Sequence, residues 1–189
     1  MAFINSPSDP GFFERNLAPA GHVPNYVKTF AARPAVYDAW EQLKSAIRDS
    51  MDLRRYELAT LAAATALNSS YCSLAHGQVL ADKFYTSEEV VALVTEPAND
   101  PVDRAVMTFA RKVALAADKV TQADVDELKA VGLSDEDVLD VVLAAAVRCF
   151  FSKTIDATGT PPDAAFNLLP DNLREALTVG RPIEDPHSG

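Results

Sequence analysis

The chain has 189 residues, 48% of them hydrophobic, which is enough to bury one core of ordinary size. Its 27 acidic residues outnumber the 17 basic ones and give a formal net charge of -10, which argues against nucleic acid because phosphate binding depends on Lys and Arg patches. No apolar run approaches the roughly 18 residues of a membrane helix, and residues 1–21 contain no apolar signal core. We therefore expect a cytoplasmic protein without a nucleic-acid or membrane partner.

The N-terminal third of the chain changes from an irregular to a helical pattern at Pro34. Residues 1–33 carry several prolines and are predicted to be irregular and to wrap the surface. Pro34 suits the first position of a helix because its missing N–H would have no partner there. Apolar residues then follow at helical spacing: Val36, Trp40, Leu43 and Ile47.

The next helix is predicted over residues 54–67, which contain no Gly or Pro and are rich in Ala and Leu. Asn68, Ser69 and Ser70 interrupt it with side chains that compete for backbone hydrogen bonds and favour helix caps. One helix should therefore end near Asn68 and another should begin there.

Start and stop signals for three further helices follow. Asp100-Pro101 repeats the Pro start signal, and Thr121 can cap a helix that stops at Gly132. Ser134 and Asp137 resemble a capping box that opens a long helix over residues 135–156.

The predicted class is all-α, because no alternating strand pattern with a hairpin turn occurs anywhere. We divide the chain into an irregular segment (1–33), a compact helical domain (34–169) and a tail (170–189) with at most a short helix near 172–177. Aromatic residues on Ala-rich helices suggest more apolar surface than a monomer tolerates, so a homo-oligomer is expected. They are Trp40, Phe109, Phe150 and Phe151.

A thiol and an imidazole stand four residues apart, at Cys72 and His76, so on a helix they share a face. If Ser69 is the N-cap, Cys72 is the third helical residue, where free N–H groups and the helix dipole favour a thiolate. Glu57 would lie roughly 22 Å from Cys72 on one continuous helix. A turn at 68–70 would fold the two helices into a hairpin and bring Glu57 closer.

The spacing Glu57, eleven residues, Ser69, two residues, Cys72, three residues, His76 resembles the alkyl hydroperoxidase D-like branch of the carboxymuconolactone decarboxylase superfamily. The usual pattern there is Glu-x11-Cys-x2-Cys-x3-His, so Ser69 occupies the first cysteine position. The resemblance extends along most of the chain, through residues 23–25, 35–40, 101–117 and 132–136.

This resemblance implies a compact all-α domain of the alkyl hydroperoxidase D-like type and a peroxide-reducing activity. Cys72 would attack the peroxide, while His76 and Glu57 would relay protons. Ser69 cannot resolve a sulfenic acid as the first cysteine does, so the two-cysteine cycle would be replaced by an external thiol reductant. Tyr71 stands where some peroxidase members have a second histidine.

Two other classes compete with a single-cysteine peroxidase. One is a non-redox acid/base enzyme like the lactone decarboxylase branch, acting on a lactone-type substrate through His76 and Glu57. The other is a degenerate, non-catalytic helical oligomer. We expect no cofactor and no metal, because a site on Cys72 and His76 would need further ligands and the other histidines, His22 and His187, lie near the chain ends. Cys149, in an apolar run, is expected to be a buried structural thiol.

Overall fold

The structure is a computed structural model that describes residues 2–185. Within that range it contains ten α-helices, two short 3-10 helices (117–119 and 164–168) and no strand, which confirms the all-α class. No helix in that range is long and apolar enough to cross a membrane. The α-helices are α1 (Pro10–Glu14), α2 (Asn25–Phe30), α3 (Pro34–Asp49), α4 (Leu53–Ala66), α5 (Ser70–Lys83), α6 (Ser87–Thr95), α7 (Pro101–Ala116), α8 (Gln122–Ala130), α9 (Asp135–Ala157) and α10 (Asp171–Leu177).

The predicted helix starts are confirmed by the capping geometry. Pro34 and Pro101 are the first residues of α3 and α7, and Thr121 and Ser134 open α8 and α9 with capping boxes. Helix α6 was not predicted from the sequence. Like α8 and α9, it begins with a capping box, which is visible in the sequence as Thr86 and Glu89. The Thr86 hydroxyl accepts from the Glu89 N–H, and the Glu89 carboxylate accepts from the Thr86 N–H.

Helix α4 lies at the centre of the fold and packs against α5, α7 and α9. Residues 56–64 are all buried, so this helix has no solvent-facing side in its middle. Its many alanines let three neighbours approach closely. Glu57 is the one ionisable carboxyl in that buried run and is 5% exposed. A buried carboxylate needs a hydrogen-bond partner, and for Glu57 that partner is His76 of α5.

Both end segments contribute helices to the core, whereas the sequence predicted residues 1–33 to be irregular. Residues 1–33 contain α1 and α2, and Phe12 and Val27 from them are fully buried. The predicted tail contributes α10, whose Leu173 and Leu177 are buried against α5 and α6. The packing is close: a Cβ added to Gly77 of α5 would lie 2.3 Å from Leu177 Cδ1. These apolar anchors join both ends to a single domain.

Most of the aromatic residues on which the predicted homo-oligomer was based are buried inside the chain. Trp40, Phe109 and Phe151 are buried within the chain's own core, and the Trp40 and Phe151 rings stack with centroids 4.1 Å apart. Only Phe150 of that group is exposed. Helical spacing does not tell which of two adjacent aromatic residues faces inward, because the neighbouring helices decide that.

Residues 178–185 follow α10 and cross the turn between α4 and α5. The Gly180 N–H donates to Ser70 Oγ at 2.8 Å, and the Arg181 guanidinium donates to the Asp156 carbonyl at 3.1 Å. At Gly180 an added Cβ would lie 1.9 Å from the Asn68 carbonyl oxygen. Only glycine allows this segment to approach the turn so closely.

We predict that Gly180→Ala lowers the free energy of unfolding by about 1–3 kcal/mol, because the new methyl group overlaps a backbone atom that cannot move without disturbing the turn. Urea unfolding measures the change. Gly11→Ala is the control, since the nearest atom to its Cβ is 3.8 Å away. Equal stability of the two variants would show that residues 178–185 are not fixed against the turn.

Candidate active site

The turn between α4 and α5 is as short as the sequence suggested. Leu67 caps α4, and Asn68 has a left-handed backbone with φ 56°. The Ser69 N–H donates to the Ala64 carbonyl at 3.0 Å, which closes the end of α4. Ser69 is also the N-cap of α5, so one helix ends and the next begins within three residues. The predicted hairpin is therefore present.

Cys72 is the third residue of α5 and is 1% exposed. An Arg148 Nη1–H donates to its sulfur at 3.3 Å. Within residues 2–185 no hydrogen bond joins Cys72 to His76, although both lie on α5. The nearest polar partner of the thiol is thus a cation from α9.

The imidazole of His76 is directed toward α4. Its Nδ1 lies 2.5 Å from Glu57 Oε2, and both side chains are largely buried. The Tyr56 ring meets the imidazole edge-on, with centroids 6.1 Å apart. The hairpin therefore brings Glu57 and His76 together, and this contact holds the ring in place.

The electrostatics of this pair fix the state of the imidazole. Burial lowers the pKa of His76, the Arg148 charge lowers it further, and Glu57 opposes them only in part. The ring is therefore neutral at pH 7. Because a carboxylate only accepts hydrogen bonds, we assign the Nδ1 proton to the bond with Glu57. The Nε2 lone pair is then left to accept a proton.

Arg148 lies on α9 and is 3% exposed. Burial acts to lower the pKa of its guanidinium, but attraction to Cys72 and to the Tyr56 hydroxyl outweighs burial and raises it. Arg148 is therefore a cation inside the core, and it also lies over the Phe151 ring, 5.5 Å from the centroid.

Ser69 is fully buried, and within the described residues its hydroxyl has no hydrogen-bond partner. It does not bond to Cys72, nor does it cap α5 with its side chain. The Asp156 carboxyl is its polar neighbour. Burial raises the pKa of Asp156, and the closeness of Ser69 and Arg181 offsets part of that rise.

Two other predicted positions are placed outside the thiol site. The Tyr71 hydroxyl donates to the Asp163 carboxylate in the core, and burial raises its pKa. Cys149 is half-buried, with its sulfur 3.9 Å from the Ala114 carbonyl, and burial raises the pKa of its thiol. Among residues 2–185 no group of three or more His, Cys, Asp or Glu side chains could hold a metal, and His187 lies outside that range.

A model of the carboxymuconolactone decarboxylase family matches residues 34–114, the part that holds Glu57, Ser69, Cys72 and His76. The chain is also similar to the alkylhydroperoxidase AhpD core of a peroxidase-related protein from Ralstonia eutropha JMP134. The two are 25% identical with a TM-score of 0.79, over 89% of this chain and 95% of that one. The family model and this likeness together support a place for the chain in the carboxymuconolactone decarboxylase superfamily. The same likeness supports the alkyl hydroperoxidase D-like branch of that superfamily. No protein of curated function matches the sequence.

More distant structures share the superfamily fold. A peroxidase-related protein from Silicibacter sp. TM1040 is 22% identical with a TM-score of 0.74, over 88% of this chain and 94% of that one. A variant of the debrominase Bmp8, in complex with 2,3,4-tribromopyrrole, is 19% identical with a TM-score of 0.70, over 88% and 90%. This superfamily fold therefore supports more than one reaction.

Arg148 and Tyr56 were not predicted as site residues. The signal for Arg148 was a single charged residue inside the apolar stretch around Val147 and Phe151 of α9. A charge within a buried run is uncommon and indicates a partner or a function. Tyr56 had no comparable signal, because a tyrosine on a buried helix is an ordinary core residue.

We predict that the stability difference between the wild type and His76→Gln depends on pH. A glutamine can keep a hydrogen bond to Glu57 but does not titrate. Because the pKa of His76 is lowered by folding, the unfolded chain binds its proton first, near the ordinary pKa of about 6.5. The wild type should therefore lose stability relative to the variant as pH falls below that value, by up to about 1.4 kcal/mol per pH unit.

Thermal unfolding of both proteins between pH 8 and pH 5 measures this difference. His22→Gln is the control, because His22 is exposed. A stability difference between the wild type and His76→Gln that stays constant from pH 8 to pH 5 would contradict a buried neutral imidazole.

Proposed function

We propose that this protein reduces small hydroperoxides, with Cys72 as the attacking group. The proposal depends chiefly on one observation: the Cys72 sulfur, at the start of α5, accepts a hydrogen bond from the Arg148 cation at 3.3 Å. A cation and a helix N-terminus both favour the thiolate, which is the nucleophilic form. The similarity to peroxidase-related proteins supports this choice of reaction.

In the proposed step the Cys72 thiolate attacks the distal oxygen of the hydroperoxide. An S–O bond forms and the O–O bond breaks, so the sulfur is oxidised to a sulfenic acid and the peroxide is reduced to an alcohol or water. The His76 Nε2 would accept the thiol proton and return it to the leaving oxygen. Since Cys72 and His76 are not hydrogen-bonded, a water or the substrate would bridge them. Glu57 would hold the ring and stabilise its charged form.

Regeneration would use an external thiol. Cys149 faces Ala114, away from the site, and Ser69 stands at the family's first cysteine position, so neither offers a resolving thiol to Cys72. The external thiol would attack the sulfenic acid, release water and form a mixed disulfide, which a second thiol would then reduce. Ser69 would remain a buried hydroxyl beside Asp156.

A second candidate is a non-redox acid/base enzyme acting on a lactone-type substrate. The Glu57–His76 pair favours it, because this pair is formed without Cys72 and leaves Nε2 free to accept a proton. Cys72 would then be a bystander. If Cys72 is not oxidised and His76 with Glu57 transfers no proton, the third possibility would hold, a degenerate and non-catalytic helical oligomer.

We predict that brief treatment with hydrogen peroxide or a small alkyl hydroperoxide adds one oxygen to the wild type at Cys72, and a second as peroxide rises. Ser69→Cys should instead lose two hydrogens, because two cysteines three residues apart at a helix start can form a disulfide. Intact-protein mass spectrometry with peptide mapping measures both changes.

Cys149→Ser is the control and should oxidise as the wild type does, whereas Cys72→Ser should not. If Cys72 stays reduced while Cys149 reacts, the peroxidase proposal is wrong and the acid/base candidate gains. If Ser69→Cys forms no internal disulfide although Cys72 oxidises, the role assigned to the serine position is wrong.

We also propose that two or more copies associate through an apolar groove between α3 and α9. Its exposed members come from both helices, and they are Val36, Leu43, Leu143 and Phe150, of which Leu43 is 54% exposed. Contiguous apolar surface of this kind is uncommon on a monomer. A second copy of the chain would cover it with the same residues.

We predict that the wild type has a mass above the 20.4 kDa of one chain at micromolar concentration, and that Leu43→Glu shifts it to the monomer, because a buried charge would oppose association. Light scattering measures the mass. Leu115→Glu is the control, since Leu115 is 64% exposed on α7, outside the groove. A monomeric wild type would refute the proposal.

A further inference from the structure

Arg148 is an unusual residue in its surroundings. It lies in the middle of α9, where the other buried residues are apolar or carry only a hydroxyl, and its side chain is almost fully enclosed. Placing a charge in a protein core costs several kcal/mol unless a partner compensates it. The identity of that partner therefore bears on the function of the residue.

No carboxylate compensates Arg148. Within residues 2–185 it forms no ion pair within 4.0 Å, and Glu57, the nearest buried acid in the chain's central helix, is bonded to His76 instead. The compensating contacts are the Cys72 sulfur at 3.3 Å, the Tyr56 hydroxyl and the face of the Phe151 ring. A neutral thiol accepts a hydrogen bond only weakly, whereas a thiolate accepts one strongly.

One further donor of this guanidinium has no partner. The Arg148 Nε–H forms no hydrogen bond in the described chain, although Nη1 of the same group is bonded to the Cys72 sulfur. A buried donor without an acceptor is costly, so this N–H is available to an oxygen atom added to the neighbouring sulfur.

We propose that Arg148 is the counter-ion of the Cys72 thiolate and the main hydrogen-bond donor to the sulfenate that forms on it. The inference rests on the proposed function and assigns a further residue to the same site. When the thiolate takes an oxygen from the hydroperoxide, the S–O bond forms and the O–O bond breaks, His76 returns the thiol proton to the leaving oxygen, and the new S–OH group gives up its own proton to water. The products are an alcohol and a sulfenate anion, and the anion stays beside the guanidinium.

This arrangement would take over part of the role of a resolving cysteine. A two-cysteine site removes the sulfenic acid by condensing it into a disulfide. Here an anionic sulfenate held by a cation would persist until an external thiol arrives. Charge and hydrogen bonding would thus stabilise the intermediate that Ser69 cannot convert.

The test measures the reactivity of Cys72 without peroxide, in a Cys149→Ser background. The rate of alkylation by iodoacetamide is followed against pH for the parent, Arg148→Met and Arg148→Lys. Met should lower the rate at pH 7 by roughly tenfold or more and move the midpoint of the profile to higher pH, because the charged partner is lost. Lys keeps the charge and should recover most of the rate.

Arg55→Met is the matched control. Arg55 joins α4 to the start of α9 through Asp137, so its removal also takes a cation from this helix pair, but it does not contact Cys72. Its profile should match that of the parent. Circular dichroism establishes that each variant is folded before rates are compared.

Coincident profiles for folded Arg148→Met and the parent would overturn the inference, and so would a Lys variant as unreactive as Met. If the Met variant does not fold, thiolate absorbance against pH in the Cys149→Ser parent decides, since a midpoint at or above the ordinary cysteine value of about 8.5 would exclude a thiolate counter-ion. Because alkylation needs no peroxide, this test can support Arg148 as the counter-ion of the Cys72 thiolate even if the peroxidase proposal fails.

Discussion

The reversal of the chain at Asn68 is the constraint on which the site depends. On one continuous helix Glu57 and His76 would lie about 28 Å apart, at 1.5 Å per residue. The left-handed backbone at Asn68 ends α4 and lets α5 return along it, so the carboxylate and the imidazole come into contact at 2.5 Å. The same reversal places Cys72 in the first turn of α5, where backbone N–H groups have no partner within the helix, and at the same time buries it in the core. Residues 178–185 then close over the turn, with Gly180 providing the space.

The two buried charges of the site, Glu57 and Arg148, do not form an ion pair with each other. Glu57 is bonded to a neutral imidazole, and Arg148 is bonded to a thiol. A direct Glu57–Arg148 pair would satisfy both charges and leave the sulfur and the imidazole without polar neighbours. Because the pair is not made, the Arg148 charge lies beside the Cys72 sulfur, and together with burial it lowers the pKa of His76 and keeps the imidazole neutral. One cation thus acts on both of the groups that the proposed reaction would use.

The fold supplies the frame for this chemistry but does not specify the reaction. The superfamily fold is shared with peroxidase-related proteins and with a debrominase, so the residues at the start of α5 and the helices that face it must select the activity. In this chain the residues closest to that choice are Ser69, which the sequence pattern predicts at the first cysteine position, and Arg148, which donates to the Cys72 sulfur. Both lie where the oxidised sulfur would have to be handled, which is why the proposed cycle differs from a two-cysteine one.

Local signals in the sequence were enough for the helical class, for most helix ends and for the hairpin, because caps and turns depend on residues adjacent in the chain. Pro34, Asn68 and the Ser134–Asp137 box show this directly. The spacing of Glu57, Cys72 and His76 likewise indicated a site. Tertiary structure alone decided the rest. It buried α10 and the N-terminal helices in one core, turned Phe151 inward and Phe150 outward, and set Arg148 against a sulfur 76 residues away. Such contacts depend on how helices distant in sequence pack, and no local pattern encodes that.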